Sequence, residues 1–408
     1  VADVRAGFLS QYFDGVFIKR LSAVEADTTR SHQHEFNGTV ELQQLLGYAR
    51  TTYPARFMWL GGENEGITED STVTWYDARK NHPTRTEYRL YFKSNPVMDM
   101  ASEGDLLIFA RRPSGELYFL IAPAESTVER QLEWLFEAPE NIGLMFEHRD
   151  INGEHDVKID YVVRFLLEEL GIEVQDSDVG FLDSHLEPYI EKGLFPTTRE
   201  FSELTRRIAR DVSAADDPDA ALLAWMDLEE RMFKHLERHI IAVRLEKGFY
   251  EGSEVDVDGF IQFSLSVQNR RKSRVGYALE NHLEAVFLAH QVQYSRTAVT
   301  EHKSKPDFLF PGIDQYRNEG FPTERLTMLG VKSTCKDRWR QVLVEATRID
   351  DKHLLTLEPG ISENQTNEMQ TNSLQLVLPK RLHETYKPHQ QEWLMNVGDF
   401  VTLVKERQ

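Results

Sequence analysis

What most constrains this chain is a change of hydrophobic period near Asp156. Upstream, short β-rich runs such as Val73 to Tyr76, Glu87 to Phe92, Asp105 to Ala110 and Leu117 to Ala122 are separated by turn signals, Pro113-Ser114-Gly115 among them. Runs of this kind predict a barrel-like β module. Downstream, Tyr161, Phe165, Leu166 and Leu170 recur at steps of three and four until Gly171, the spacing of an amphipathic helix and its stop. At 408 residues the chain also exceeds what one core organises, with about 150 residues per domain as the usual measure. Two domains are expected, 1–175 and 176–408, with the boundary between Gly153 and Thr197.

The second half alternates helix and strand. Asp219 is placed to cap a helix whose Leu222, Trp225, Met226, Met232, Phe233 and Leu236 form an apolar stripe. A second helix is expected from Tyr277 to Ala289, then strands at Asp307 to Phe310 and Leu326 to Ser333. A helix from Cys335 to Ile349 and strands at Leu354 to Leu357 and Leu374 to Leu378 complete the series. Such alternation predicts a mixed sheet with helices on both faces, an α/β fold.

The formal charge of -20, taken as a sum, opposes binding to a phosphate backbone. Its distribution matters more. Acid concentrates between Asp150 and Asp258, whereas Arg270, Arg271, Lys272 and Arg274 form one basic group and Lys332, Lys336, Arg338 and Arg340 another. Local positive surface on an acidic body is compatible with DNA. The lone Cys335 excludes an internal disulfide and suits a reducing cytoplasm. No apolar run approaches the roughly 18 residues of a membrane span, and Val1 to Leu9 lacks the order of a secretory signal.

Lys305-Pro306-Asp307 sets a carboxylate at the start of an apolar strand, and Lys332 stands 25 positions on, in the next strand. Phosphodiester cleavage needs carboxylates to hold magnesium and a cation to orient water and offset developing charge. Glu345, 13 residues after Lys332, or Glu280 on the earlier helix can complete such a set. Singly, Pro-Asp is an ordinary turn, a strand lysine snorkels to solvent and both glutamates are ordinary wet helix faces.

The runs Asn269-Arg270-Arg271-Lys272-Ser273-Arg274, Lys305-Pro306-Asp307-Phe308-Leu309-Phe310-Pro311 and Val331-Lys332-Ser333-Thr334-Cys335-Lys336-Asp337-Arg338-Trp339-Arg340-Gln341 closely resemble the EcoRII-type restriction endonucleases, over Asp219 to Tyr386. The resemblance implies a PD-(D/E)XK endonuclease fold, magnesium-dependent double-strand cleavage at a CC(A/T)GG-like site, and a cognate DNA methyltransferase as genetic partner. It implies Asp307, Lys332 and Glu345 as the catalytic set, Asp307 and Glu345 as metal ligands, and Glu280 and Tyr316 as accessory candidates. Gly330 occupies the position of the acid in (D/E)-X-K; in this branch the acid moves to the following helix, which favours Glu345. A symmetric duplex site cut on both strands favours a homodimer.

Lys336 and Arg338 can donate to guanine and Asp337 can accept from cytosine, so this triplet offers the complements of a G·C pair; a capping box from Thr334 to Asp337 is the bland alternative, the two can coexist, and the resemblance to the CC-GG readers of this family favours recognition. Trp339 reads as core, and Cys335 as a small helix-start residue. Arg271 and Lys272 are candidate phosphate contacts, against the default of a solvated loop.

In the first half, Phe17-Ile18-Lys19-Arg20-Leu21-Ser22-Ala23 and Ser31-His32-Gln33 look like the effector pseudobarrel of the same family, in a patchier match. Thr84 to Arg89 aligns with its DNA-reading segment and nominates Arg85, Glu87 and Arg89, with His32 nearby; Tyr88 stands where the family has a basic residue. Alternating arginines are also simply the wet face of a strand. His32-Gln33-His34 is not taken as a zinc site, because no other cluster with ligand spacing is read. Gly61 to Gly66 lacks the lysine of a phosphate loop. Competing readings are a DNA-binding regulator with an inactive nuclease fold and a repair nuclease of the same fold.

Overall fold

The alternating runs of the first half pair edge to edge into one twisted sheet, while the helical second half wraps a smaller one. The computed structural model describes residues 7–27, 34–62, 65–176, 178–251 and 253–408, with the side chains of Glu154, Glu251 and Asp337 left aside. The chain divides into two compact units, Val1–Gln175 with Gly360–Asn364, and Asp176–Pro359 with Gln365–Gln408.

Unit one holds β1 (Gly15–Arg20), β2 (Glu35–Asn37), β3 (Thr51–Trp59), β4 (Thr68–Asp77), β5 (Tyr88–Phe92), β6 (Leu106–Arg111), β7 (Leu117–Ala122) and β8 (Glu147–Arg149). They join in the order β2-β5-β4-β3-β7-β6-β1-β8. All pairs are antiparallel except β3 with β7, the curled, mixed arrangement of a pseudobarrel. Alternation sends Phe17, Phe57, Phe92, Phe109 and Phe119 into one core, where Phe57 and Phe119 stack with centroids 4.5 Å apart. Offset aromatic pairs add to simple burial. Gly38 is required by this packing, since a Cβ there would stand 2.4 Å from the Trp75 ring. Helix α1 (Tyr161–Glu169) ends as its sequence implies, with Gly171 at a φ of 70°.

Unit two begins with a helical layer, α2 (Val179–Lys192), α3 (Thr198–Ile208), α4 (Pro218–Glu246) and α5 (Val257–Ala289), with two short antiparallel strands, β9 (Tyr250–Glu251) and β10 (Glu254–Val255), between the last two helices. Leu182 and Leu186 of α2, Phe201 of α3 and Leu228, Met232, Phe233 and Leu236 of α4 share a core. Two sequence expectations change here. Asp217, not Asp219, caps α4 by accepting from Ala220 N–H. Asp219 instead accepts from the backbone of Lys380, Val397 and Gly398 at 2.9–3.0 Å, anchoring the start of a further helix, Val397–Arg407. The expected Tyr277–Ala289 helix is the last third of α5, whose 33 residues include the whole basic run. No proline interrupts that stretch, and straight-chain residues such as arginine and glutamine favour helix.

Beyond α5 lies a five-stranded sheet in the order β11-β12-β13-β14-β15: β11 (Ser295–Arg296), β12 (Phe308–Phe310), β13 (Thr327–Lys332), β14 (Lys352–Thr356) and β15 (Leu374–Val377). The first three pair antiparallel and the last three parallel. With flanking helices, this is the mixed α/β sheet expected of the second half. The expected Cys335–Ile349 helix is largely absent: only the turn Lys336–Arg338 and α6 (Trp339–Val342) form. Lys336 and Ala346 sit at φ of 37° and 45°, left-handed values that no continuous helix accommodates. Among the described residues no helix is long and apolar enough to cross a membrane.

Candidate active site

Sheet register assembles the centre. Phe308 pairs with Leu329, so Asp307, one residue earlier, arrives beside Gly330 in the second half of β13. One Asp307 oxygen accepts from Val331 N–H at 2.6 Å and from the Lys332 ammonium at 3.0 Å. The backbone bond fixes the carboxylate, and the ion pair fixes the lysine against it. Both side chains keep partial exposure, 15% for Asp307 and 19% for Lys332, so the pair faces solvent from a half-buried floor.

Two further carboxylates converge on this pair. Glu280 projects from α5 and is held by Arg296 of β11 at 2.9 Å; Arg296 also reaches Asn281 and Glu284. Burial raises Glu280 above the usual carboxylate range, the Asp307 charge adds to this, and Arg296 opposes it. Glu345 follows α6. Burial first, and then Asp307, push its pKa up to about 7, against the pull of Lys332 and Lys352. Its Oε2 is buried with no hydrogen-bond partner, an expensive state for a carboxylate. An unpartnered carboxylate oxygen within the field of a second carboxylate fits a cation, which would offset both charges. Asp307, Glu280 and Glu345 do not all lie within 4.8 Å of one another, so any shared ion would draw its remaining ligands from elsewhere.

The glycine in place of the motif acid has a steric cause. A Cβ at Gly330 would stand 2.7 Å from Val342. Helix α6 therefore rests directly on the strand. That close approach carries the segment bearing Glu345 over the strand face that Lys332 shares by alternation.

Tyr316 is not brought into this cluster. Its hydroxyl donates to Glu301 at 2.7 Å and accepts from Arg348 N–H at 3.2 Å, and burial followed by Glu301 pushes it up to about 12. This tie braces the segment after Glu345. Trp339 is fully buried, and burial drives the Cys335 thiol far up, keeping it protonated.

The turn with Lys336 and Arg338 is capped by buried Glu358, which accepts from the backbone N–H of Cys335 and Lys336. Sequence reasoning missed Glu358 and Arg296; both act on partners too distant in sequence for spacing to show. Arg338 folds back onto Thr334, donating to its carbonyl at 2.9 Å and its hydroxyl at 2.7 Å. The side chain of Asp337 lies outside the described residues. On α5, Arg271 pairs with buried Glu237 at 2.6 Å, and Arg274 lies buried over Phe201 and Phe233. Lys272 is exposed. The basic run is thus partly internal scaffolding rather than a free loop.

In unit one, Glu87 receives Arg79 and Arg89, and Arg89 also pairs with Glu35 at 2.7 Å. Arg89 foremost, with Arg79, holds Glu87 below the usual carboxylate range. Arg85 is exposed. Tyr88 stacks on Trp75, centroids 5.1 Å apart, and donates to Tyr48 carbonyl, so it serves packing. His32 lies outside the described residues.

The chain is similar to known proteins. The chain is 46% identical over 415 residues to the type II restriction enzyme EcoRII of Escherichia coli, spanning 95% of this chain and 93% of that enzyme. The chain belongs to the EcoRII family of type II restriction enzymes. The family described as EcoRII C terminal matches residues 233–401, which hold the whole cluster. The family assignment makes the protein a type II site-specific deoxyribonuclease with DNA as partner. Among solved structures, metal-depleted Ecl18kI in complex with uncleaved, modified DNA aligns at a TM-score of 0.45 and 19% identity, covering 56% of this chain and 84% of that one. The restriction endonuclease PspGI–substrate DNA complex aligns at 0.44 and 14%, covering 52% and 93%.

Proposed function

We propose that unit two cleaves both strands of DNA at a CC(A/T)GG-like site, with Asp307 and Glu345 holding Mg2+, Lys332 acting on the scissile phosphate and Glu280 in an accessory place. The observation that carries this is the Asp307–Lys332 ion pair within electrostatic reach of Glu345, one of whose oxygens is buried and unpartnered. Magnesium suits such a set, since it takes one or two carboxylates and fills its shell with water and phosphate oxygens; when bound, it supplies charge neutralisation and acidifies a water.

The chain's own groups do the rest. Asp307 is positioned by Val331 N–H before any ligand arrives, which limits reorganisation. Lys332, paired with Asp307 here, would be free to donate to a non-bridging phosphate oxygen as negative charge grows there if Asp307 held a cation instead. In hydrolysis, the water oxygen forms a new bond to phosphorus and gives up a proton, one phosphorus–oxygen ester bond breaks, and the departing alkoxide oxygen takes up a proton from solvent. With its pKa raised to about 7, Glu345 must lose its proton to become a ligand.

The palindromic character of such a site supports a homodimer, and a nuclease of this kind supports a cognate DNA methyltransferase that protects the host sites. Lys336, Asp337 and Arg338 are proposed as base readers once Arg338 leaves Thr334, and Arg271 and Lys272 as phosphate contacts. Unit one is proposed to bind a further DNA copy through Arg85, Glu87 and Arg89, with His32 close by. The test is Lys332→Ala on one oligonucleotide duplex. Cleavage should be lost while specific binding persists, because DNA contacts are spread over many residues. Near-normal cutting would remove Lys332 from the mechanism.

A further inference from the structure

Away from the nuclease centre, unit two brings together three groups that the sequence reading left unconnected. His235 and His239 are one helical turn apart on α4, and Asp183 projects from α2. The sequence reading took no cluster beyond His32-Gln33-His34 to have ligand spacing; the i, i+4 pair at 235 and 239 corrects that. His235 Nε2 lies 2.7 Å from Asp183 Oδ1, and His239 Nε2 lies 3.7 Å from the same oxygen. The two rings meet edge to face with centroids 4.9 Å apart. Among the described residues this is the one trio of His, Cys or carboxylate ligand atoms within 4.8 Å of one another.

We propose that Asp183, His235 and His239 form a second metal site, selective for zinc-class divalent ions over magnesium. Two imidazole nitrogens and one carboxylate oxygen are the donors of Zn2+, Co2+ and Ni2+ rather than of Mg2+, which prefers oxygen. Bonds of about 2.0–2.2 Å in a tetrahedron put ligand atoms roughly 3.4 Å apart, between the two distances observed here. A hydrogen bond from His235 to Asp183 would account for one histidine; it does not explain why His239 addresses the same oxygen. Asp183 and His239 keep about half their side-chain exposure, leaving room for water as fourth ligand. The site caps an apolar seam in which Leu182 of α2 meets Leu228, Met232 and Leu236 of α4, so an ion there clamps these helices together. It is a site of binding and bracing, remote in kind from the Asp307 carboxylates.

The experiment uses the full chain carrying Asp307→Asn, which weakens cation binding at the nuclease centre. Titration with Co2+, followed by visible absorbance, should give one ion per chain with the strong bands of tetrahedral coordination, and Zn2+ should displace it. Adding His239→Ala or Asp183→Ala should weaken binding by more than the about tenfold that even an outer-shell change costs. Both substitutions are at exposed positions, so folding is preserved; thermal unfolding without metal checks this. Zn2+ should raise the unfolding temperature of the parent and not of the His239→Ala chain. Absent tetrahedral bands, or equal Co2+ affinity in the parent and His239→Ala chains, would overturn the site.

Discussion

Glu345→Gln offers a direct reading of the strain at the nuclease centre. The carboxyl group is displaced from its ordinary 4.5 to about 7, chiefly by burial and then by Asp307. The folded protein therefore holds this proton more tightly than the unfolded chain does. Its stability falls as pH rises from about 4.5 to about 7 and is level above that. Each tenfold in acid constant corresponds to about 1.4 kcal/mol, so the full displacement amounts to about 3 kcal/mol. Partial exposure reduces this to about 1–2 kcal/mol. Glutamine keeps the shape and cannot ionise. In EDTA, urea unfolding of the catalytic transition at pH 8.5 should show the variant more stable by about 1–2 kcal/mol, shrinking to a few tenths of a kcal/mol near pH 4.5. Added Mg2+ should stabilise the parent at pH 8.5 and leave the variant unmoved. A stability difference that does not change with pH, or one that favours the parent at high pH without metal, would refute the account of Glu345.

Restoring the generic motif acid with Gly330→Glu should destabilise the protein by about 1–3 kcal/mol through overpacking against Val342. The loss should be partly relieved by Val342→Ala, as read from unfolding midpoints of the single and double variants. Arg338→Ala should cost about 1–3 kcal/mol of discrimination at one G·C pair, measured as relative cleavage of single-substitution duplexes; a uniform fall on all sequences would make Arg338 a phosphate contact instead.

The strands were legible because alternation and turn signals agree locally. Leu117–Ala122 and its Pro113-Ser114-Gly115 turn needed no tertiary information. The sheet of unit two was also readable, since β12 to β15 are short apolar runs in chain order. What escaped depends on long-range partners. Asp219 looks like a cap from sequence alone, yet its acceptors serve Lys380, Val397 and Gly398. The segment after Cys335 carries a helical pattern, but Glu358 and the left-handed residues Lys336 and Ala346 break it. Arg271 and Arg274 read as surface charge because their partners Glu237 and Glu229 lie on α4, more than thirty residues earlier. Proximity of Asp307 and Lys332 follows from register, whereas the burial of Glu345 follows from Val342 seating on Gly330, a contact that only packing reveals. His235 and His239 stand at a helical spacing that sequence reasoning missed, and Asp183, fifty-two residues before His235, has no spacing signal at all.

The central claim is that Asp307, Lys332 and Glu345 cut DNA at one defined sequence with magnesium. Digesting a random-sequence duplex pool with the full chain and Mg2+, then sequencing the new ends, tests it most directly. The account predicts ends confined to a CC(A/T)GG-like site, on both strands, and no cleavage in EDTA. Scattered or structure-dependent ends, or cutting that persists without divalent metal, would contradict it.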